Sequence, residues 1–576
     1  EAQVPDTVGV PRILSTEEEQ LVQDTMKEFA QLRQYRTSAF ENHWEEVASL
    51  ILPSHRNTFH WQNYTTPGEK KTQLQVDASG MMALSRFAAI CDSLLTPRNM
   101  MWHTVAADDD YVMKDRDTQL WFESTTRKLF KARYAPMGNF SAQNNSNYQS
   151  LGAFGTGSMF IDRFDGHHGQ RGLRYKSIPL GELYLRENHQ GLVDGFIRAF
   201  KLTARQCMQK WGETYFPETL RTALNADSET QYWFLHRVCA REDYDPERAD
   251  QKGMIFTSMY VSMEGRSIMR KEGEPMEGGY NSFPISASRY DQAPGEVYGR
   301  SPAMMVLPAL KTLNAQKRTF LKQGHRAADP VLLTGDDGIV DMSLRPGAMN
   351  KGGVNADGKP MVHVLPTGQI QIVKEMMDEE KSLINDAFLV TLFQILTESP
   401  QMTATEVIER TNEKGILLAP TVGRQQSEYL GPMIDRELDL MAQMGMLDPM
   451  PPRLKEAGGT YGVVYTSPLS RAMRAQEAAG FMRTVESVKE LVAVSGRRDL
   501  LYPFNFKKAI PEMAEINGVK PSWMNSEDGM ALLAEADAKA TAREQQIQAA
   551  PGAAALINAG TKQQQAGVAP AGAPVQ

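Results

Sequence analysis

Tyr298-Gly299-Arg300-Ser301-Pro302-Ala303-Met304-Met305-Val306-Leu307-Pro308 opens a helix-like stretch that runs to Ala328, and a second one runs from Gln369 to Leu396 before the short break Thr397-Glu398-Ser399-Pro400-Gln401. A Gly-rich insert separates the two. They read as a hairpin stalk with a loop at each end. Ser301 is placed to accept from orphan backbone N–H groups, and Pro302 stands where a missing N–H costs nothing. Val306, Leu307, Leu310 and Leu313 fall at helical spacing, while Lys311, Lys317, Arg318, Lys322 and Arg326 crowd toward the helix end, where cations suit the dipole. The second helix is expected to carry Glu375, Asp378, Glu379 and Glu380 in its first turns, with Met376, Met377, Leu383, Ile384, Phe388 and Leu392 as its apolar set. Laid antiparallel, the basic end of one helix meets the acidic start of the other, within a subunit or between neighbours. An ordinary helical hairpin with solvated charges satisfies the same pattern.

The 576 residues are ample for several packed units, since single cores stop growing near ~250 to 300 residues. A hydrophobic fraction of 41% and a charged fraction of 23% are those of a soluble globular protein, and no run of apolar residues is long enough to span a bilayer. No signal segment is expected at the start. Cys91, Cys207 and Cys239 are scattered without C-x-x-C spacing, which argues against a zinc site and a disulfide framework and points to a reducing cytoplasm. A net charge of −8 disfavours a tight, sequence-independent grip on DNA. It is compatible with passing DNA, because a channel for a polyanion wants few sticky contacts; plain solubility is the cheaper explanation.

Before the stalk, helices are expected over Glu17–Leu52, Asp77–Leu95, Asp117–Tyr134 and Asn139–Ala153, with Pro53 closing the first. From Ser158 to Ser288 the pattern turns to short alternating runs, read as strands, with Asn188-His189-Gln190-Gly191 as a hairpin tip and a helix over Thr203–Trp211. The insert Asp329–Gly368 holds two short strand signals, Val331–Leu333 and Val362–Leu365, around a Gly- and Asp-rich middle. After Pro400, Thr403-Ala404-Thr405-Glu406 has the form of a capping box, opening a helical segment toward Gly445 with an interruption at Ala419-Pro420 and carrying Val407, Ile408, Leu430, Met433, Ile434 and Leu438. Tyr461–Thr466 reads as a strand and Ser467-Pro468 opens a helical region to about Met530. The Ala-, Gln- and Gly-rich remainder to Gln576 is expected to form one helix and a tail.

No catalytic constellation emerges. Gly152-x-x-Gly155-x-Gly157 lacks the strand-turn-helix order of a dinucleotide fingerprint and reads as a strand-bordering turn. A G-x-x-x-x-G-K-[ST] phosphate loop is missing, so ATP hydrolysis would fall to a partner. His167-His168 and Asp108-Asp109-Asp110 are considered as metal ligands, but adjacent histidines point apart on a strand and short acidic runs are usually solvated. Neither a G-x-S-x-G elbow nor a kinase signature set is present. Cofactors are therefore not expected. Arg127-Lys128-Leu129-Phe130-Lys131-Ala132-Arg133-Tyr134 is a basic, aromatic helix face that would meet phosphate or a neighbouring subunit, or simply lay its stems over apolar surface.

The order of these pieces resembles the head-to-tail connector, or portal, proteins of short-tailed bacteriophages. The residues that carry the likeness are Trp44-Glu45-Glu46-Val47-Ala48 through Leu52-Pro53, the helix Asp77–Leu95 before Trp102, Tyr298-Gly299-Arg300-Ser301-Pro302, and Met402-Thr403-Ala404-Thr405-Glu406-Val407; it spans roughly residues 20 to 500. Pro308, inside the first stalk helix, departs from it and leaves open a straight helix, a kink or a later start.

The resemblance implies a mainly helical α+β fold. A wing (1–300) would be followed by stem helices (301–328 and 369–395) around a small β-containing clip (329–368). A tunnel loop (396–402), a return helix and strand of the wing (403–467), a helical crown (468–530) and a C-terminal helix and tail (531–576) would complete it. It implies a ring of typically about twelve subunits at one capsid vertex of the virion, through which double-stranded DNA is packaged and ejected without sequence specificity. The implied partners are a terminase, a tail adaptor, and capsid and scaffold proteins, without a membrane or intrinsic catalysis. Thr397, Glu398, Ser399, Pro400, Gln401 and Met402 would be the channel loop, Lys311, Lys317, Arg318 and Lys322 the basic stem residues, and Glu375, Asp378, Glu379 and Glu380 the acidic subunit contacts. The alternative is another virion structural protein, a coat or scaffold subunit, which need not have two long helices flanking a small β tip.

Overall fold

The computed structural model describes residues 15–60, 68–73, 75–113, 115–166, 169–334, 342–366, 370–391, 420–466, 468–496, 503–516, 523, 525 and 529–541. Helices and antiparallel sheets share the chain, an α+β architecture. Two compact units are distinguished. The first comprises Glu1–Thr104, Thr125–Pro449 and Val463–Glu486; the second comprises Val105–Ser124, Met450–Gly462 and Ser487–Gln576. No described helix is long and apolar enough to cross a membrane.

The N-terminal helical stretch is two helices rather than one, Thr16–Ala39 and Glu41–Leu50, with Phe40 out of helical conformation between them (φ −125°, ψ −37°). Ser15 caps the first, its hydroxyl accepting from the Glu18 N–H at 3.1 Å. The break has a physical cause in Arg36, which is fully buried. Its Nε donates to Glu41 at 2.9 Å, its Nη1 to the carbonyls of Leu180, Gly181 and Leu183, and its Nη2 to the Phe59 carbonyl and Tyr184 hydroxyl. A buried guanidinium is tolerable only when paired and hydrogen-bonded throughout, and turning the chain at Phe40 brings Glu41 to it. Phe40 itself stacks on Trp44 at 5.3 Å. Three further helices, Ser79–Leu95, Arg116–Arg133 and Phe140–Phe154, lie within one or two residues of their expected bounds.

The alternating region folds as two antiparallel sheets. In the smaller, Thr156–Asp165 lies between Ile285–Arg289 and Arg171–Ser177. The larger runs in the order Leu183–Glu187, Val193–Thr203, Gln231–Ala240, Phe256–Ser262 and Ser267–Ile268, with Gly278–Tyr280 also pairing to Phe256–Ser262. Asn188 shapes the expected hairpin tip by accepting from the Gln190 and Leu192 N–H groups. Thr203 and Gln206 form a capping box that starts the helix Ala204–Trp211. A helix over Glu218–Ala226 was not anticipated; it buries only Leu220 and Ala223, too few positions to display a period.

The first unit's main core joins Trp44, Val47, Phe87, Phe154, Tyr298, Leu310, Leu313, Ile384 and Phe388 in one cluster. It therefore includes the stalk's base. The second unit buries Val112, Phe122 and Leu454, and Arg453 pairs with Asp115 at 3.4 Å. Toward the C terminus the helices Pro468–Ser495 and Phe506–Ile516 and a helical segment 529–541 are described; the expected tail from 542 onward lies outside the described residues.

Candidate functional site: the stalk and its anchorage

The stalk is rooted by backbone and hydroxyl contacts that its opening motif supplies. Ser301 accepts from the Met304 N–H at 3.0 Å and donates to the Ala153 carbonyl at 2.8 Å. Gly299 donates its N–H to Thr156 Oγ1 at 2.9 Å, and the Tyr298 hydroxyl accepts from the Leu185 N–H at 3.1 Å. Gly155, in the left-handed region (φ 75°), ends the helix Phe140–Phe154, and a Cβ there would collide with the Gly299 carbonyl. The glycine run is thus a helix-to-strand turn against which the stalk root packs, in keeping with the turn reading.

The first stalk helix does not run unbroken from Ser301. Pro302–Met305 form one turn, Val306 leaves helical geometry (φ −97°, ψ 11°), and the long helix is Leu307–Ala328. Pro308 thereby stands in a first turn, where its missing N–H would have had no intrahelical partner. The second helix is Ile370–Ala387, shorter than expected. Phe388 and Leu389 form a turn, with Leu389 in the left-handed region (φ 61°), and Leu392, Thr397–Met402, Thr403–Glu406, Val407 and Ile408 lie outside the described residues.

The two helices pack along each other and share the core at their base. Leu307, Ala309, Leu310 and Leu313 are buried on one, and Met377 and Ile384 on the other, with Phe388 buried in the turn that follows it. Met376 and Leu383, expected on the apolar face, are instead 48% and 54% exposed, and Ile372 joins them on the same side of the helix at 53%. The stalk therefore has a second, uncovered apolar face.

Its charges agree with expectation only in part: Arg326 lies in the last turn of the first helix, as expected, and others do not. Lys311 lies near the helix start and pairs with Glu46 at 2.7 Å, both about half exposed. Lys317 leans over Phe320 at 5.6 Å, and Arg318 and Lys322 are exposed. Because the second helix starts at Ile370, Glu375 sits in its second turn and Asp378, Glu379 and Glu380 in its third, beyond the reach of the terminal dipole. Asp378 pairs with Lys381 on its own helix at 3.1 Å, and Glu375 accepts from Gln371 at 3.3 Å. Exposed pairs of this kind contribute ~0 to 1 kcal/mol.

At the far end the insert carries the expected ladder, Leu332–Thr334 antiparallel to Val362–Val364. Three paired residues are too few to stand alone in water. Leu333, Leu344, Met349, Val354 and Val364 are nonetheless exposed around it.

Behind the stalk, buried ion pairs that sequence reasoning missed tie distant segments together. Arg133 is fully buried, its Nε donating to Glu437 at 2.9 Å while the Tyr175 hydroxyl donates to the same carboxylate. Its guanidinium lies 4.6 Å over the Trp102 ring. Arg289 donates to Glu428, Glu187 and the Gly191 carbonyl. Glu428 is presented by a π-helical stretch, Gln425–Leu430, which runs into the helix Gly431–Gln443. The basic run Arg127–Tyr134 is accordingly not a uniform solvated face: Lys128 pairs with Asp448 at 2.6 Å, and its end is anchored in the core.

The profile of the family described as "Bacteriophage head to tail connecting protein" matches residues 22–524. The chain belongs to this family. It is 27% identical over 516 residues to the portal protein of Salmonella phage epsilon15, covering 88% of each chain. It is also 27% identical over 557 residues to the probable portal protein of Bordetella phage BPP-1, covering 93% of each. The matched span takes in every stalk contact described above. In this head-to-tail connecting protein no group of three or more His, Cys, Asp or Glu side chains converges as metal ligands among the described residues. Asp109, weighed earlier as a ligand, accepts from the Tyr111 N–H at 2.8 Å, and His167-His168 lies outside the described residues.

Proposed function

We propose that this chain is a portal subunit whose copies close into a ring at the head-tail junction of a phage virion, forming the conduit for genome packaging and ejection without catalysis of its own. The observation that carries this is the double-faced stalk. One apolar face is buried in the chain's own core, while Ile372, Met376 and Leu383 remain uncovered on the other. Burying such side chains is worth about 1.5 to 3 kcal/mol each, and a neighbouring stalk is the natural cover. A cyclic ring needs each subunit to present different surfaces to left and right, which a two-faced hairpin does. The names of the two relatives support the same reading.

In this assignment residues 1–300 with 403–467 form the wing, the two helices form the stem, Asp329–Gly368 forms the clip, and 468–530 form the crown. The clip is the docking point for the terminase during filling and the tail adaptor afterwards, its bare apolar residues and marginal ladder being suited to a partner. Thr397, Glu398, Ser399, Pro400, Gln401 and Met402 meet the passing DNA. They offer hydroxyl, amide and one carboxylate, without a cation that would trap phosphate. Deleting residues 396–402 should leave rings intact while genome packaging or retention fails, read by electron microscopy and encapsidated DNA content. Loss of the rings themselves would show the segment to be structural instead.

A further inference from the structure

The two stalk helices differ in charge along their whole length. Leu307–Ala328 has Lys311, Lys317, Arg318, Lys322 and Arg326 and no Asp or Glu. Ile370–Ala387 has Glu375, Asp378, Glu379, Glu380 and Asp386 against Lys374 and Lys381. Where each charge sits follows from the side chains buried between the helices. Leu313 and the half-buried Phe320 pack in one core with Ile384 and Met377. Each pair is spaced by two helical turns, so an antiparallel hairpin sets Leu313 level with Ile384 and Phe320 level with Met377. The same register brings the buried Ala309 level with the buried Phe388. At ~100° per residue, Lys322 lies about 180° and Arg318 about 140° around the first helix from Leu313, on the side turned away from the second. Glu375 and Glu379 lie by the same angles from Ile384, on the side turned away from the first. All four side chains are exposed.

The register thus puts Arg318 level with Glu379 and Lys322 level with Glu375, but on opposite outer sides of one hairpin. Among the described residues neither Lys322 nor Glu379 has a partner of opposite charge. Rotation about a ring axis leaves height along that axis unchanged, so stalks lying along the axis keep this register from one copy to the next. The basic outer side of one stalk then meets the acidic outer side of its neighbour with the same residues level. Ile372, Met376 and Leu383 border the acidic line, and Ala315, exposed on the basic side at the height of Leu383, leaves room for that side chain. A polyanion or an acidic partner would answer the basic side alone. A second copy of the chain answers both sides at once, which is what a heterologous, closing contact requires.

We propose that the outer side of the first stalk helix docks on the outer side of the second stalk helix of a neighbouring copy, with Arg318 on Glu379 and Lys322 on Glu375 setting the register. This rests on the ring reading and specifies its stalk contact residue by residue. The test reverses the charges. R318E/K322E and E375K/E379K should each raise the subunit concentration needed for half-assembly by about tenfold at low salt, because like charges then face each other at every interface. The penalty should shrink as salt rises. Combining all four reversals inverts both pairs and should return assembly to near the unmodified level. Every variant should keep the thermal unfolding of the single chain, since the four side chains are exposed. A second measurement reads the contact itself: Lys322→Cys with Glu375→Cys, treated with a short bismaleimide, should give covalent multimers, while either single variant stays at the mass of one chain. Rings that tolerate both reversed pairs, a fourfold variant as impaired as the twofold ones, or cross-links confined within one chain overturn the contact and leave the ring reading standing. An unmodified chain that stays monomeric sinks both.

Discussion

Arg133 places a full positive charge in the core, and its survival there depends on a single carboxylate. Glu437 takes the guanidinium and also the Tyr175 hydroxyl, so removing its charge strands two donors at once. Glu437→Gln should cost about 3 to 5 kcal/mol, the usual penalty for orphaning one member of a buried pair. A lowered thermal unfolding midpoint measures it, and an unchanged midpoint contradicts this account. The double variant Arg133→Met with Glu437→Leu should recover most of the loss, since an apolar pair of similar volume is often as stable. This residue also marks a limit of sequence reading. The sequence reads Arg133 as part of a basic helix face, because its partner lies 304 residues away. No local period encodes a contact at that separation.

At the scale of elements, features set by neighbours in sequence were legible and those set by tertiary contacts were not. Ser301 capping, the strands of the insert and the Asn188 hairpin tip depend on a few adjacent residues, and all are present. The breaks at Phe40 and at Phe388-Leu389 follow from what the chain meets in the core, so a continuous apolar pattern runs through both. The uncovered side of the stalk was equally hidden, because one period cannot distinguish apolar residues that face a chain's own core from those kept for a partner. Pro308 provides a sharp test. In the interior of a helix begun at Ser301 it would remove a hydrogen bond and strain the preceding turn by about 3 kcal/mol or more. In the first turn of Leu307–Ala328 it costs little. Pro308→Ala should therefore change stability by less than about 1 kcal/mol, as read from denaturant midpoints. A gain of several kcal/mol would show a strained helix instead.

For the molecule as a whole, the family was legible because several weak local signatures fall along one chain, and the family profile matches residues 22–524. On the ring reading proposed above, the bare apolar stalk residues Ile372, Met376 and Leu383 acquire a neighbour when copies close on themselves. Replacing Ile372, Met376 and Leu383 together by Ser should weaken that closure while leaving the subunit folded, because the residues of the buried face are untouched. Native mass spectrometry combined with electron microscopy would check the variant. The most direct measurement is the same one made on the unmodified protein, whose single chain has a mass of 64.3 kDa. The expected result is one dominant species at an integer multiple of that mass, imaged end-on as a closed ring with an open central channel. A population that remains at the single-chain mass across salt and concentration, or that assembles into shells without a channel, would contradict it.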